Sequence, residues 1–587
     1  MSNSIFYISF IILLISSIIS CSSDNLPFLQ GKYIFWLGVL CVIAFVVAIK
    51  NNSKTLKINS FDGFLLVLAV FGGLHFTVFS KSSIYNSDIW YYIGYLTLYF
   101  ILRHQCSTLE ITKKTLSILL YFCSTTAVLN VFMMFLQWKH WIAAPNEFFL
   151  TTGMFFSPNQ LGIYLSLGFL STFFLWQKNN ILWLKIVLGL CGILIFLGLC
   201  VTESRGAFIS LLVAMGYYFS PPQPSPKGRE PKTKSFFNWK IYLGIVVLLA
   251  AGFYFFSVVN KNKTESTSGR YFATQQILKQ ITQNPFGYGL NSFSLEYNKA
   301  KAAYFENNTN WEEMKNAGYI YKANNDFLEL TFELGIPWIL LFLFFIVLFF
   351  WKRGNCIETK IGRTMLICLI VFSLTTSIVT TPILLIIACI SLIIILNTTN
   401  PKVIYEFKNR GIYRFIGMGL SLSFVFVIIS RINTENKLFR LYEGKMYLKS
   451  ESQLQGYISK MDNKGEEFFM GGLTLIKNGY INEGFDYLQT GFERSGKPSL
   501  GRVLANGLKQ QKKYSQAEQI YNYNKNVEPY RYEARMDLFN LFMETKQYTK
   551  AKAMAKEIIQ LPVKIPSRKI EGYKRKAKAY LRELEKK

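Results

Sequence analysis

The chain has 587 residues, about half of them hydrophobic, with 52 Phe and 34 Tyr and a formal net charge of +29. So apolar a composition over such a length is not that of a soluble core alone, and several runs of roughly 18 or more apolar residues read as membrane spans. The basic residues sit mostly in short loops and in the C-terminal tail, without zinc-ligand spacing, an arginine-rich block or a stacking platform. Nucleic acid is therefore set aside in favour of membrane lipids and an anionic lipid-linked substrate.

The N-terminal stretch "MSNSIFYISFIILLISSIISCSS" has two readings, a first span or a signal segment with a lipoprotein-like cysteine at Cys21. Its leader carries no Lys or Arg, which favours the span. All nine cysteines lie at or before Cys389, mostly in or beside apolar runs, with no CxxC pair. No disulfide framework and no metal site follow from them.

Apolar segments near 4–20, 33–49, 61–80, 88–102, 115–137, 159–176, 181–199, 206–219, 241–259, 327–351, 364–378, 381–397 and 412–430 give about thirteen spans. The loops "KNNSKTLK", "RHQCSTLEITKK", "PPQPSPKGREPKTKSFFNWK", "WKRGNCIETKIGR" and "PKVIYEFKNRGIYR" are all basic, and spans that alternate put all five in the cytoplasm. The proline-rich one reads as a disordered connector. The N-terminus is then cytoplasmic, while residues 260–326 and everything beyond 430 fall outside. This is an all-α, polytopic integral membrane protein, with a transmembrane domain over 1–430, a large outer loop at 260–326 within it and a C-terminal helical-repeat domain at 431–587.

Two arginines stand on the side that is normally poor in positive charge. "CVTESRGAFISLL" puts Arg205 at the outer face, and "SGRYFATQQILKQITQNPFGYGLNSF" puts Arg270 in the outer loop. Snorkelling to headgroups is the plain explanation. However, Ser204 and Gly206 allow a tight turn into a helix, and a guanidinium beside the free N–H groups of a helix start suits a phosphate. After Arg270, Phe272, Ile277, Leu278 and Ile281 form an apolar stripe, so this helix is expected to lie along the bilayer surface. "NPFGYG" ends it in a turn.

Asn324, Asn325 and Asp326 then directly precede the apolar run "FLELTFELGIPWILLFLFF". One of them serves as a helix N-cap on the plain reading. That leaves the others unexplained, together with Glu329 and Glu333, one turn apart at a depth where ionisable groups face a cavity or a partner. Beyond the last span, Tyr480, Tyr514 and Tyr548 recur every 34 residues, the tetratricopeptide period, and Ala517 and Ala551 follow the last two at the same offset. The first repeat has Glu483 at that offset, with Gly484 next. Such helix pairs stack into surfaces that bind other chains, so a protein partner through these repeats is expected.

Taken in order, "GMFFSPNQLGIYL", "ESRGAFISLL", "GRYFATQQILKQITQNPFGYGLNSF" and "NNDFLELTFELGIPW" resemble the O-antigen ligase and O-antigen polymerase superfamily, which also contains bacterial protein O-oligosaccharyltransferases. The resemblance implies a glycosyltransferase of the bacterial inner membrane that works at its periplasmic face. Its donor is a polyprenyl-diphosphate-linked glycan and its acceptor a hydroxyl of a glycolipid, a protein or a growing glycan, with no nucleotide sugar, metal or other cofactor. By the same resemblance Arg205 and Arg270 grip the donor diphosphate, with Asn159 and Asn325 lining the cavity. Ligases of this family commonly carry His-Asn at the start of the last motif, and here the first position is Asn324. The catalytic group is then Asn324, Asp326 or Glu329, since of His75, His104 and His140 only the last is expected near the outer face. The alternatives are a protein oligosaccharyltransferase or polymerase, and a membrane scaffold whose site has decayed.

Overall fold

The computed structural model describes residues 2–19, 56–79, 87–106, 108–220, 264–351, 356–399, 403–407, 410–461 and 465–585. The expected spans at 33–49 and 241–259, Cys21 and the proline-rich loop lie outside them. The described residues are mostly helical and fall into three layers: an apolar bundle, a polar outer layer upon it, and a C-terminal helical array.

The bundle contains α1 (Ser2–Ile19), α2 (Ser60–Phe79), α3 (Ser87–Gln105), α4 (Leu109–Trp138), α5 (Pro158–Lys178), α6 (Leu182–Val201), α7 (Arg205–Phe219), then α12 (Ile336–Trp351), α13 (Ile357–Ser373) and α14 (Pro382–Thr399). Among the described residues, α4, α6 and α14 are long and apolar enough to cross a membrane, and shorter apolar helices occur at Phe6–Ile19, Ser60–Phe76, Arg205–Phe219 and Ile336–Val347. Helices 4 and 5 touch through small residues: a Cβ on Gly168 would collide with Ala127, and the hydroxyls of Ser124 and Thr172 bond at 2.7 Å. Between apolar helices, close backbone approach and shared hydroxyls replace the hydrophobic drive that water would supply. Helix α14, buried along most of its length, packs against α1, α3, α4 and α13.

The basic loops meet at one end of this bundle. Strands β1 (Leu56–Asn59) and β2 (Val403–Phe407) pair antiparallel there, Asn397 donates to the Cys106 carbonyl at 2.6 Å, and Lys113 pairs with Glu358 at 3.2 Å. Lys360 also reaches the Ser220 carbonyl at 3.3 Å.

At the opposite end sits the outer layer, made of α8 (Thr264–Gln283), α9 (Phe293–Asn307), α10 (Trp311–Met314) and α11 (Asp326–Leu334). Two expectations are corrected here. The helix after Asp326 does not run into the span: α11 stops at Gly335, with φ 84° and ψ 173°, and α12 starts afresh at Ile336. Nor is the stripe of α8 turned to a bilayer. Ile277 and Ile281 are buried against Phe293, Tyr297 and Phe332, and Phe272 against Phe305, leaving Leu278 exposed. The outer layer holds enough apolar surface to cover its own helix.

Helix α15 (Arg410–Tyr442) crosses the expected boundary at 430 and docks Leu438 and Leu441 against the first array helices, α16 (Glu451–Ile458) and α17 (Glu466–Lys477). There follow α18 (Ile481–Ser495), α19 (Pro498–Gln510), α20 (Tyr514–Val527), α21 (Glu533–Glu544), α22 (Tyr548–Gln560) and α23 (Arg568–Glu585), each packed on the next. Ala517 and Ala551 are fully buried between helices. In the first hairpin Gly484 makes the close approach instead of Glu483, because Tyr480 caps its helix whereas Tyr514 and Tyr548 begin theirs.

Candidate functional site

The outer end of the bundle converges on residues 374–381, the "LTTSIVTT" connection between α13 and α14. Sequence reading placed residues 364–378 in a span, yet the helix ends at Ser373 and the following residues form an irregular loop with five hydroxyl side chains. A run of Thr and Ser ahead of Pro382 between two apolar segments was the available signal.

Arg205 is the first residue of α7 and is exposed. The turn before it is tight: Glu203 has φ 52°, and a Cβ on Gly162 of α5 would lie 2.7 Å from that of Ser204. Gly206 is pressed so closely to Thr375 that a Cβ there would overlap its hydroxyl. Arg270 on α8 reaches the same residue from above, with Nη1 donating to the Thr375 carbonyl at 3.2 Å. Partial desolvation of its head, and then the positive charge of Arg205, push the Arg270 pKa below its usual value, although the residue as a whole is exposed. Two like charges held this close repel each other, and a shared anion relieves that repulsion.

Asp326 meets the next part of the loop. Its Oδ2 accepts from the Ile378 N–H at 2.8 Å and the residue is buried. Burial pushes its carboxyl up from the usual 3.8 to about 6, an effect that the neighbouring Ser377 hydroxyl and the Ile378 N–H partly offset. Gln160 closes the ring, its Nε2 donating to Thr380 Oγ1 at 3.5 Å, with half-buried Asn159 beside it in the first turn of α5.

The remaining polar residues divide between structure and site. Asn325 is the N-cap, its Oδ1 accepting from Phe327 and Leu328 N–H at 3.0 and 3.1 Å, so that only its amide NH₂ remains for other work. Glu329 accepts from Ala323 N–H at 2.8 Å through one oxygen and pairs with Lys322 at 3.4 Å through the other. Asn324 is exposed with φ 54°, a left-handed conformation that Asn tolerates better than most residues. Buried Glu333 accepts from Phe293 N–H at 3.3 Å.

Below them the turn "NPFGYG" is fastened to α11: Gly289 N–H donates to the Glu333 carbonyl at 2.9 Å, and Ile336 N–H to the Pro285 carbonyl at 2.7 Å. His75 Nε2 donates to the Phe286 carbonyl at 2.9 Å. This corrects the expectation that His140 alone is near the outer face, since α2 carries a buried histidine into the outer layer. With its Nε2–H spent on a carbonyl, His75 holds the turn.

Fold and site together define a helical membrane-type protein with two arginines whose charges interact, a buried aspartate of raised pKa and a loop rich in hydroxyls. Residues 190–343 match the family described as Wzy_C: O-antigen ligase, so this part of the chain is similar to that family of glycosyltransferase-like ligases. The matched segment holds Arg205, Arg270 and residues 324–329, whereas Asn159 and the 374–381 loop fall outside it. No curated protein and no solved structure matches the chain.

Proposed function

We propose that this protein transfers a glycan from a polyprenyl-diphosphate carrier to an acceptor hydroxyl at the periplasmic face of the inner membrane. The observation that carries this reading is that the positive charge of Arg205 is felt by Arg270, while Gly206, next to Arg205 in the chain, and Arg270 both approach Thr375. In the reaction the acceptor oxygen bonds to the anomeric carbon, and the bond from that carbon to the diphosphate breaks. The leaving polyprenyl diphosphate takes the electron pair, and two guanidinium groups already in place stabilise the charge it gathers. The acceptor proton passes to Asp326, the one carboxylate of the trio whose pKa is raised toward neutrality. Glu329 suits that role less, because both its oxygens hold the segment before α11. Asn324 cannot take a proton at useful pH but can orient the hydroxyl, standing where relatives carry histidine. Asn159 and the Asn325 amide line the donor side.

Arg205→Ala and Arg270→Ala should each lower transfer from a lipid-linked glycan by about a hundredfold or more, with normal protein levels. Glycan attachment in cells and transfer by the purified protein both read this. Full attachment by either variant would remove the anion clamp and the enzyme with it.

A further inference from the structure

The helical array is joined to the outer layer rather than hanging free of it. Helix α9 lies against α20 and α18, and Phe305, Met314 and Ala317 of the outer layer enter the same apolar core as Leu504, Ala517 and Tyr521 of the array. The segment 315–323, which starts in a turn and continues without helix or strand into Asn324, is bonded along its length. Lys564 Nζ donates to the Lys315 carbonyl at 2.6 Å, and Gly318 lies 3.7 Å, measured from an ideal Cβ, from the Tyr530 hydroxyl. Tyr319 Oη donates to the Ser495 carbonyl at 2.9 Å, and Lys497 stands over the Tyr321 ring at 5.3 Å. From the other side, buried Lys301 donates to the Gly318 carbonyl and to Asn298 Oδ1, while Asn298 Nδ2 donates to the Ile320 carbonyl at 2.8 Å. At the end of the segment, Glu329 fixes Lys322 and Ala323.

We propose that the array works in cis, as a clamp whose occupant is the chain's own segment 315–323, and that Tyr319 and Lys564 are positioning residues that set Asn324 and Asp326 against the 374–381 loop. The role assigned to Asp326 rests on the glycan-transfer reading; the clamp itself rests on these contacts. A segment outside helix and sheet has no ladder of its own, so its backbone is placed by whatever satisfies its carbonyls and N–H groups. Here the array supplies one such partner, Lys564 at the Lys315 carbonyl, and its Ser495 carbonyl holds the Tyr319 side chain. An error of about 1 Å in a reacting group is enough to slow a transfer by orders of magnitude.

The test uses the full-length protein in nanodiscs, with lipid-linked glycan and an envelope extract from the native cells as donor and acceptor. Tyr319→Phe, Lys564→Met and the double variant are compared with wild type for steady-state transfer and for amide hydrogen exchange over 316–329. The expected result is a kcat about tenfold lower in the double variant, donor KM within about twofold of wild type, and faster exchange over 318–326. Lys564→Arg, which keeps a donor in reach of the carbonyl, should restore both. Unchanged exchange overturns the clamp, and so does faster exchange with unchanged kcat. If the wild type transfers nothing while exchange responds as expected, the enzyme reading falls and the clamp stands.

Discussion

Asp326 is the residue whose chemistry the environment alters most usefully. Ahead of this nine-residue helix the sequence shows that one of Asn324, Asn325 and Asp326 is the cap, because Asn-Asn-Asp before an apolar run is a common N-terminal pattern, but not which of them. The cap is in fact Asn325, which frees Asp326 to turn to the α13–α14 loop and become buried. Its carboxyl then titrates near 6, so as a proton acceptor it is blocked below that pH and competent above it. Transfer rate should rise through pH 6 to a plateau near 7, and the acid limb should vanish, with most of the rate, in Asp326→Asn. An unchanged limb in that variant would assign it to another group. The same shift opposes folding as the group ionises: relative to an unfolded value near 3.8, stability is fully present below about pH 4 and declines as pH rises through 6. No spacing rule could foretell the shift, since it arises from burial in the folded chain and is partly offset by the Ile378 N–H, 52 residues away.

Among elements, the junction of α11 and α12 and the loop after α13 do most to shape the site. The run from Phe327 to Trp351 is apolar apart from Glu329, Thr331 and "ELGIP", which is why the sequence joins α11 to the span. Gly335 occupies a region of backbone space reserved for glycine, and a Cβ there would meet the Pro285 carbonyl oxygen at 2.7 Å. Gly335→Ala should therefore cost about 2–3 kcal/mol. A lowered thermal midpoint in detergent, together with looser packing of α8 against α11, would register it. Full stability would mean that the turn is not interlocked with α11. In the array the 34-residue spacing of Tyr480, Tyr514 and Tyr548 puts each at the start of a helix, a local regularity that the sequence displays directly. By contrast, the 374–381 loop was read as part of two spans: its hydroxyls are short enough to pass as helical residues among apolar ones. Only contact with Gly206, Arg270, Asp326 and Gln160 distinguishes it.

Across the whole molecule, the segments expected outside meet at one end of the bundle and the basic loops at the other. Exposed Cys356 belongs to a basic loop, so a variant retaining it as its sole cysteine should react with a membrane-impermeant thiol reagent only in inverted vesicles. Labelling from the periplasmic side would reverse the proposed sidedness. What the sequence alone determined was of short range: helical class, the 34-residue spacing of three tyrosines, the loops in which lysine and arginine gather, and the stretch that matches the O-antigen ligase family. These follow from hydrophobic run length, charge and spacing along one strand of chain. Tertiary structure decided which of three polar residues caps the helix and which is buried. It also decided that α8 covers the protein and that the array seizes its own loop. Those outcomes depend on partners distant in sequence, and the free energy of burial or of a satisfied carbonyl exists only once the partner has arrived.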